Sequence, residues 1–319
     1  MKKLTIIFLF ACLMLLGFHN KAFAQSANLG IFPPIMQIET TPPAEVKSKF
    51  YLQNDGDGML NLNIEIKAFK PSSSNDGQIE ILDNFEDFPD PLFINRIKIK
   101  DKGVVIKSLT LSPKQRKELD FEITIPPNEA KGDYYFTLFF VNVPSTNIST
   151  NSTLTSAGVA MNVLLSVGPK GETKGFIDKF SAPLFVDSGP VPFTVQIENQ
   201  SDHFVSAKGS IVIENIFGQK VGKIDLLPVN ILSSSQRLIP DSKNADLNAK
   251  AYPYPVAIWP EKFLIGPYKA TLTLGFSDSE QKFSRTISFF AFPATYLIGI
   301  LAALGIVTFI ILRIRKKID

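Results

Sequence analysis

The chain has 319 residues, 45% of them hydrophobic and 20% charged, with a formal net charge of +3. Of one cysteine and two histidines, Cys12 and His19 fall within the first 24 residues, an expected export signal, and His203 alone remains, which rules out a zinc site built on several His or Cys ligands. Of the 33 cations, 7 lie within residues 1–24 and 293–319, together with 1 of the 30 acids, so the body between them carries net −3 and offers nucleic acid no electrostatic footprint.

Residues 1–24 have the three parts of an export signal: Lys2 and Lys3, the apolar run Leu4 to Phe18, and the small-x-small site Ala22-Phe23-Ala24. Cleavage is expected before Gln25. Phe10 stands where a lipobox needs a small residue, so Cys12 is not read as a lipidation site. The mature chain then has no cysteine and forms no disulfide.

Short alternating or apolar runs follow, punctuated by Gly, Pro, Asn and Asp. They are Val46–Gln53, Leu60–Phe69, Leu119–Ile125, Tyr134–Val143, Val159–Val167, Phe193–Glu198, Lys208–Glu214, Lys269–Phe276 and Phe283–Phe290. Their β-branched and aromatic content suits half-buried strands, and no sustained helical period interrupts them. The expected fold is all-β.

An internal repeat divides this body. Leu111-Ser112-Pro113-Lys114-Gln115-Arg116 recurs as Leu232-Ser233-Ser234-Ser235-Gln236-Arg237. A strand ending in Asn54 or Asn199 precedes each copy, and Gly132-Asp133-Tyr134 or Gly266-Pro267-Tyr268 follows it. Three landmarks in one order predict two tandem immunoglobulin-like β-sandwich domains, residues 25–170 and 171–292, of ordinary domain size. Tyr134 and Tyr268 are the candidates for structural tyrosine corners, where a hydroxyl turns back onto the preceding connection.

Four features bear on function. Pro71 to Pro91 is acidic, and Asn54-Asp55-Gly56-Asp57-Gly58 forms a second acidic turn; neither has EF-hand spacing, and Asx turns are the expected use. Pro144 to Gly158, rich in Ser, Thr and Asn, reads as a hairpin tip and carries two sequons, at Asn147 and Asn151. His203, in the turn Asn-Gln-Ser-Asp-His, reads as a solvated turn residue and not as part of a triad. Asp241 to Gly266 has no counterpart of equal length in the first domain and contains Tyr252, Tyr254, Trp259 and Phe263. Pro-stiffened aromatics lose little entropy on binding, which makes these four the candidate binding residues; covering an open sandwich edge is the plainer use of the same residues.

Ala294 to Leu312 is 19 residues without a charge, about the length that crosses a bilayer. The predicted span, 293–312, ends in a tail (313–319) carrying Arg313, Arg315, Lys316 and Lys317, which the positive-inside rule keeps cytoplasmic. A single-pass plasma-membrane protein with its N-terminal body outside is expected.

This layout resembles the WxL-interacting surface proteins of Gram-positive bacteria. The local likenesses are Asn75-Asp76-Gly77-Gln78-Ile79, Ala207–Val221 ending Phe-Gly-Gln-Lys-Val, and Val229-Asn230-Ile231-Leu232-Ser233-Ser234-Ser235. The first domain is also broadly similar to periplasmic pilus-chaperone domains. The resemblance implies a binder of peptidoglycan through the first domain and of another protein or a host ligand through the second. It transfers no binding residue. Together these readings give a non-enzymatic, membrane-anchored module holding a cell-wall, envelope or surface-protein partner, without cofactor, metal, nucleic acid or small-molecule substrate. An accessory subunit of a transport or secretion complex, and a carboxylate-dependent glycan-active enzyme, are the alternatives.

Overall fold

Alternation of buried and solvated residues decides where the strands lie. In Val191–Asn199, for instance, Val191, Phe193, Val195, Ile197 and Asn199 are buried, and the residues between them are not. A pleated strand sends successive side chains to opposite faces, so this pattern fixes one face on a core. The computed structural model describes residues 28–86, 88, 90–143, 158–243 and 252–315. The export signal, the Pro144–Gly158 tip up to residue 157, and Lys316 and Lys317 fall outside the described residues.

The first domain contains β1 (Leu29–Phe32), β2 (Ile35–Thr40), β3 (Ala44–Asn54), β4 (Leu60–Pro71), β5 (Ile79–Ile81), β6 (Ile97–Asp101), β7 (Val104–Val105), β8 (Ser108–Leu111), β9 (Arg116–Ile125), β10 (Gly132–Asn142) and β11 (Gly158–Val167). One sheet runs β1-β3-β9-β6-β7. The other runs β2-β11-β10-β4-β5, with β8 also on β4. The second domain contains β12 (Gly175–Ser181), β13 (Phe185–Val186), β14 (Val191–Asn199), β15 (Val205–Asn215), β16 (Lys220–Asp225), β17 (Val229–Ile231), β18 (Ser235–Leu238), β19 (Ala257–Trp259), β20 (Gly266–Phe276) and β21 (Lys282–Ala291). Its sheets run β12-β14-β18, with β19 on β14, and β13-β21-β20-β15-β16, with β17 on β15.

The repeat is visible in the pairing. In each domain the chain begins on one sheet antiparallel (β1 on β3, β12 on β14). It then crosses to lie parallel to the last strand of the other (β2 on β11, β13 on β21). Each sandwich closes over its own apolar core, the first around Phe50, Phe93, Phe121 and Phe136, the second around Phe193, Ile211, Trp259 and Leu272.

The buried asparagines anchor the repeat. Asn54 Nδ2 donates to the carbonyls of Gly58, Leu111 and Ser112 at 2.7–3.4 Å, and Oδ1 accepts from Gly56 N–H. Asn199 does the same for His203, Ile231 and Leu232 at 2.9–3.0 Å, with Oδ1 accepting from Ser201 N–H. These bonds correct the sequence register by one residue. Leu111-Ser112 corresponds to Ile231-Leu232, so Arg116 is matched by Gln236 and not by Arg237. The left-handed residues agree, Lys114 (φ 60°) matching Ser234 (φ 51°), as do the partners: Arg116 lies 4.3 Å over the Tyr51 ring, and Gln236 bonds Gln196. A one-residue slip flips a strand residue to the opposite face. Arg237 therefore faces elsewhere, with consequences at the candidate site.

Both candidate corner tyrosines turn back onto the chain upstream. Tyr134 donates to Glu129 Oε1 (2.8 Å) and Ala130 O (2.9 Å), with its ring stacked 4.5 Å from Phe93; burial and then Glu129 push its phenol up. Tyr268 accepts from Ile265 N–H at 3.2 Å and stacks on Phe289 at 5.3 Å. Beyond Ala291 the chain enters helix α1 (Ala294–Arg315), whose segment Ala294–Arg313 has mean hydropathy 2.5 and is nowhere buried against the rest of the protein.

Candidate functional site

Where the two sandwiches meet, ordinary strand residues acquire unusual surroundings. On β10 the face opposite Tyr134 carries Asp133 and Tyr135. Tyr135 stacks 5.7 Å from Phe69 in a small apolar cluster with Leu164 and Phe204, flanked by Ile79 and Leu232. Polar bonds cross the same contact. Asp133 Oδ2 accepts from Tyr135 Oη and from Phe204 N–H (2.6 Å), Tyr135 Oη accepts from Ser233 N–H (3.0 Å), and Leu238 N–H donates to Asn75 O (2.7 Å).

The segment joining the domains is clamped to this contact. Lys170 pairs with Glu39 (2.7 Å) and Asp278 (3.1 Å) and lies 5.3 Å over the Phe204 ring; Lys131 pairs with Asp202 at 3.2 Å. His203 is only 2% exposed, which corrects its reading as a solvated turn residue. Its Nδ1 meets Asp202 at 2.9 Å, and its Nε2 meets Thr173 Oγ1 at 3.3 Å and Asp278 Oδ2 at 3.4 Å. A turn that looks solvated in one domain is covered when a second domain and its linker fold over it.

Burial raises the Asp133 carboxyl above the usual carboxylate range, against the bonds from Tyr135, Ser166 and Phe204 N–H that favour the anion. A raised acid contributes stability that is fully present below its unfolded value and lost as pH rises through its folded value. Relative to the near-isosteric Asp133→Asn, the wild type is therefore expected to lose thermal stability as pH rises from about 4. Melting both proteins across pH 4–8 checks this; a gap that stays constant with pH contradicts the assignment. Taking the difference cancels the opposite contribution of Asp202, which its bond to His203 and then Lys131 hold low.

Beside this contact lies a groove. Its inner end is a cavity of about 100 Å³ lined by Ile35, Phe69, Gln78, Leu164 and Arg237 among others. It opens into a cleft of about 700 Å³ between the β4–β5 connection (Lys70, Ser73, Asn75, Glu80) and the β14 and β18 corner (Glu198, Gln200, Ser234, Gln236). Two edge strands border it, β5 on the first domain and β18 on the second. Arg237, on the face that the one-residue slip assigned wrongly, donates Nη1 to Asn230 O at 2.6 Å, and desolvation pulls its guanidinium down while Asp76 opposes. Gly77 (φ +90°) makes room for it: a Cβ there would stand 2.4 Å from Nη2. The signal for this site was present in Asn75-Asp76-Gly77, a turn whose purpose depends on a guanidinium 160 residues away.

The acidic residues have local employment. Asp76 accepts from Ser74 Oγ and Gln78 N–H, and Asp90 caps the turn Pro91–Arg96 through Leu92 N–H while pairing with Arg96. Of the four candidate aromatics, Trp259 is withdrawn into the core of the second domain. Trp259 is 5% exposed, Tyr252 is half-buried, and Tyr254 and Phe263 are exposed. The flanking Arg313 is exposed, and Arg315 ends α1.

No family model matches the chain, and no curated protein matches it. Among solved structures, a chaperone–tip adhesin complex of CFA/I fimbriae biogenesis is similar at 9% identity and TM-score 0.37, over 82% of this chain and 99% of that one. The E. coli chaperone DraB is similar at 10% identity and TM-score 0.36, over 81% and 96%. The CsuC–CsuE chaperone–tip adhesion subunit complex of Acinetobacter baumannii follows at 9% and 0.36, over 83% and 99%. At such identities none of them speaks to what this chain binds, and the chain is described by its own architecture: two immunoglobulin-like sandwiches in tandem, followed by one apolar helix.

Proposed function

We propose that the chain is a membrane-anchored, extracytoplasmic binding protein that holds an extended segment of an envelope or surface protein in the groove between its two domains. The observation that carries this reading is the 700 Å³ cleft bordered by two edge strands. Edge strands present backbone groups that an added strand satisfies; Asn75 O already takes Leu238 N–H at one end of β18, and the cleft's amides and hydroxyls suit main-chain recognition along the rest. The layout shared with WxL-interacting proteins supports the same placement: body outside, basic tail in the cytoplasm.

The glycan-active alternative needs a carboxyl held protonated beside a second carboxylate. Both acids in the cleft are engaged otherwise. Glu198 accepts from Gln200 (2.8 Å) and Gln236 (2.7 Å), which lower it, and Glu80 pairs with Lys70 at 3.2 Å. The lowering of Glu198 runs opposite to what a general acid needs.

Photo-crosslinking residues at Ser73 and Gln200, both exposed on the cleft, are expected to capture the same envelope polypeptide in intact cells. The same group at Lys98, on the other sheet of the first domain, is the control. Equal capture from all three positions would remove the groove from the proposal.

A further inference from the structure

The most exposed apolar side chains of the second domain are not scattered. Among its described residues, six large hydrophobics are more than half exposed: Leu184, Phe185, Ile216, Phe217, Phe263 and Ile265, led by Phe217 at 83% and Leu184 at 81%. They come from three separate stretches of sequence, yet strand register brings all of them to one end. Phe185 pairs with Phe290, and Phe290 N–H donates to Leu184 O. Ile216 and Phe217 form the tip after Asn215, which pairs with Tyr268 two residues into β20. Phe263 and Ile265 directly precede Gly266, which pairs with Ala291. Ala291 is the last residue of β21, three positions before α1 begins.

That end is also where α1 is fastened. Asp187, from the loop after β13, accepts from Thr295 N–H at 2.9 Å, which holds its carboxyl low and places an anion at the positive end of the helix. Phe292 N–H donates to Val186 O, and Gly189 N–H to Lys262 O. A 22-residue helix is about 33 Å long, the thickness of a hydrocarbon core with little to spare. A bilayer holding α1 must therefore begin next to these loops.

We infer that the lower end of the second domain is itself a membrane seat, with its three loop tips (184–185, 216–217 and 263–265) immersed in the interface of the bilayer that α1 spans. Isolated exposed hydrophobics need no explanation, but six on one rim around a span do. Exposed Lys220 and Lys262 beside these tips supply cations for lipid phosphates, as in other interfacial segments. The seat rests on the membrane-anchor reading and adds to it that the body is held at the surface by loops and does not swing from the helix.

The test uses the mature chain, residues 25–319, which has no native cysteine, reconstituted in phosphatidylcholine–phosphatidylglycerol nanodiscs and spin-labelled at single introduced cysteines. Leu184→Cys, Phe217→Cys and Phe263→Cys report the three tips, Ile298→Cys reports the span, and Phe176→Cys reports the opposite end of the domain. Trp259 emission verifies that each variant is folded. The tips are expected to show a several-fold higher ratio of oxygen to nickel-chelate collisions than position 176, approaching position 298. Tips as aqueous as position 176, beside a lipid-exposed position 298, overturn the seat and leave the anchor standing. An aqueous position 298 overturns both. Tips shielded from both reagents assign the rim to a protein partner and likewise overturn the seat.

Discussion

Asn199→Ala is expected to destabilise the second domain by about 3–5 kcal/mol, because four backbone groups lose a partner at once, of which Leu232 O keeps Ser235 Oγ at 2.8 Å, and each buried group left unsatisfied costs about 1–3 kcal/mol. The side chain is fully buried, and its two amide hydrogens are shared among three carbonyls while its oxygen holds Ser201 N–H. Asn199→Asp should be nearly as damaging, since a carboxylate cannot donate. Asn54→Ala should do the same to the first domain, whose corner is built alike. The only tryptophan of the chain lies in the second domain, which separates the two effects. Asn199→Ala should lower the denaturant midpoint followed by fluorescence, whereas Asn54→Ala should act mainly on the far-ultraviolet circular dichroism. If Asn199→Ala left the fluorescence midpoint unmoved, the corner would not be the keystone described.

Trp259→Ala is the second large effect, again about 3–5 kcal/mol, through the void an absent indole leaves in a close-packed core. The ring, on β19, meets Tyr268 edge-on at 5.5 Å and Phe289 at 6.4 Å, and a Cβ on Gly222 would stand 2.5 Å from its Nε1, so the facing sheet of β16, β20 and β21 is shaped to it. Tyr254→Ala, at a side chain 46% exposed, should change stability by no more than about 0.5 kcal/mol. The pair therefore separates packing from recognition along the Asp241–Gly266 segment. A partner lost only in Trp259→Ala reports a damaged fold, and a partner lost in Tyr254→Ala with an unchanged melting curve reports a contact. A Trp259→Ala protein as stable as wild type would contradict the core assignment.

Much of this was legible in the amino-acid sequence, for reasons of period and length. Strong central strands such as Val191–Asn199 and Leu119–Ile125 betray themselves by alternation. Each of the nine predicted runs falls on an observed strand, Val143 alone lying one residue beyond its end. Short edge strands such as β5, β7 and β13 bury too little to leave a pattern. The charge-free run of α1 and the two-copy landmarks needed only composition and order. What the sequence could not settle was which face a residue takes and what lies across from it. Matching Arg116 to Arg237 by identity was off by one, because the buried Asn amides, not the arginines, hold the equivalent positions. The same limit hid the burial of His203 and Trp259, the meeting of Asp133 and Tyr135 with Phe204 and Ser233, and the gathering of six exposed apolar side chains around the foot of α1. Local sequence sets strand and helix because their periods are short-range; contacts between residues 70 to 160 positions apart are fixed only when the sheets pack and the two sandwiches close on each other.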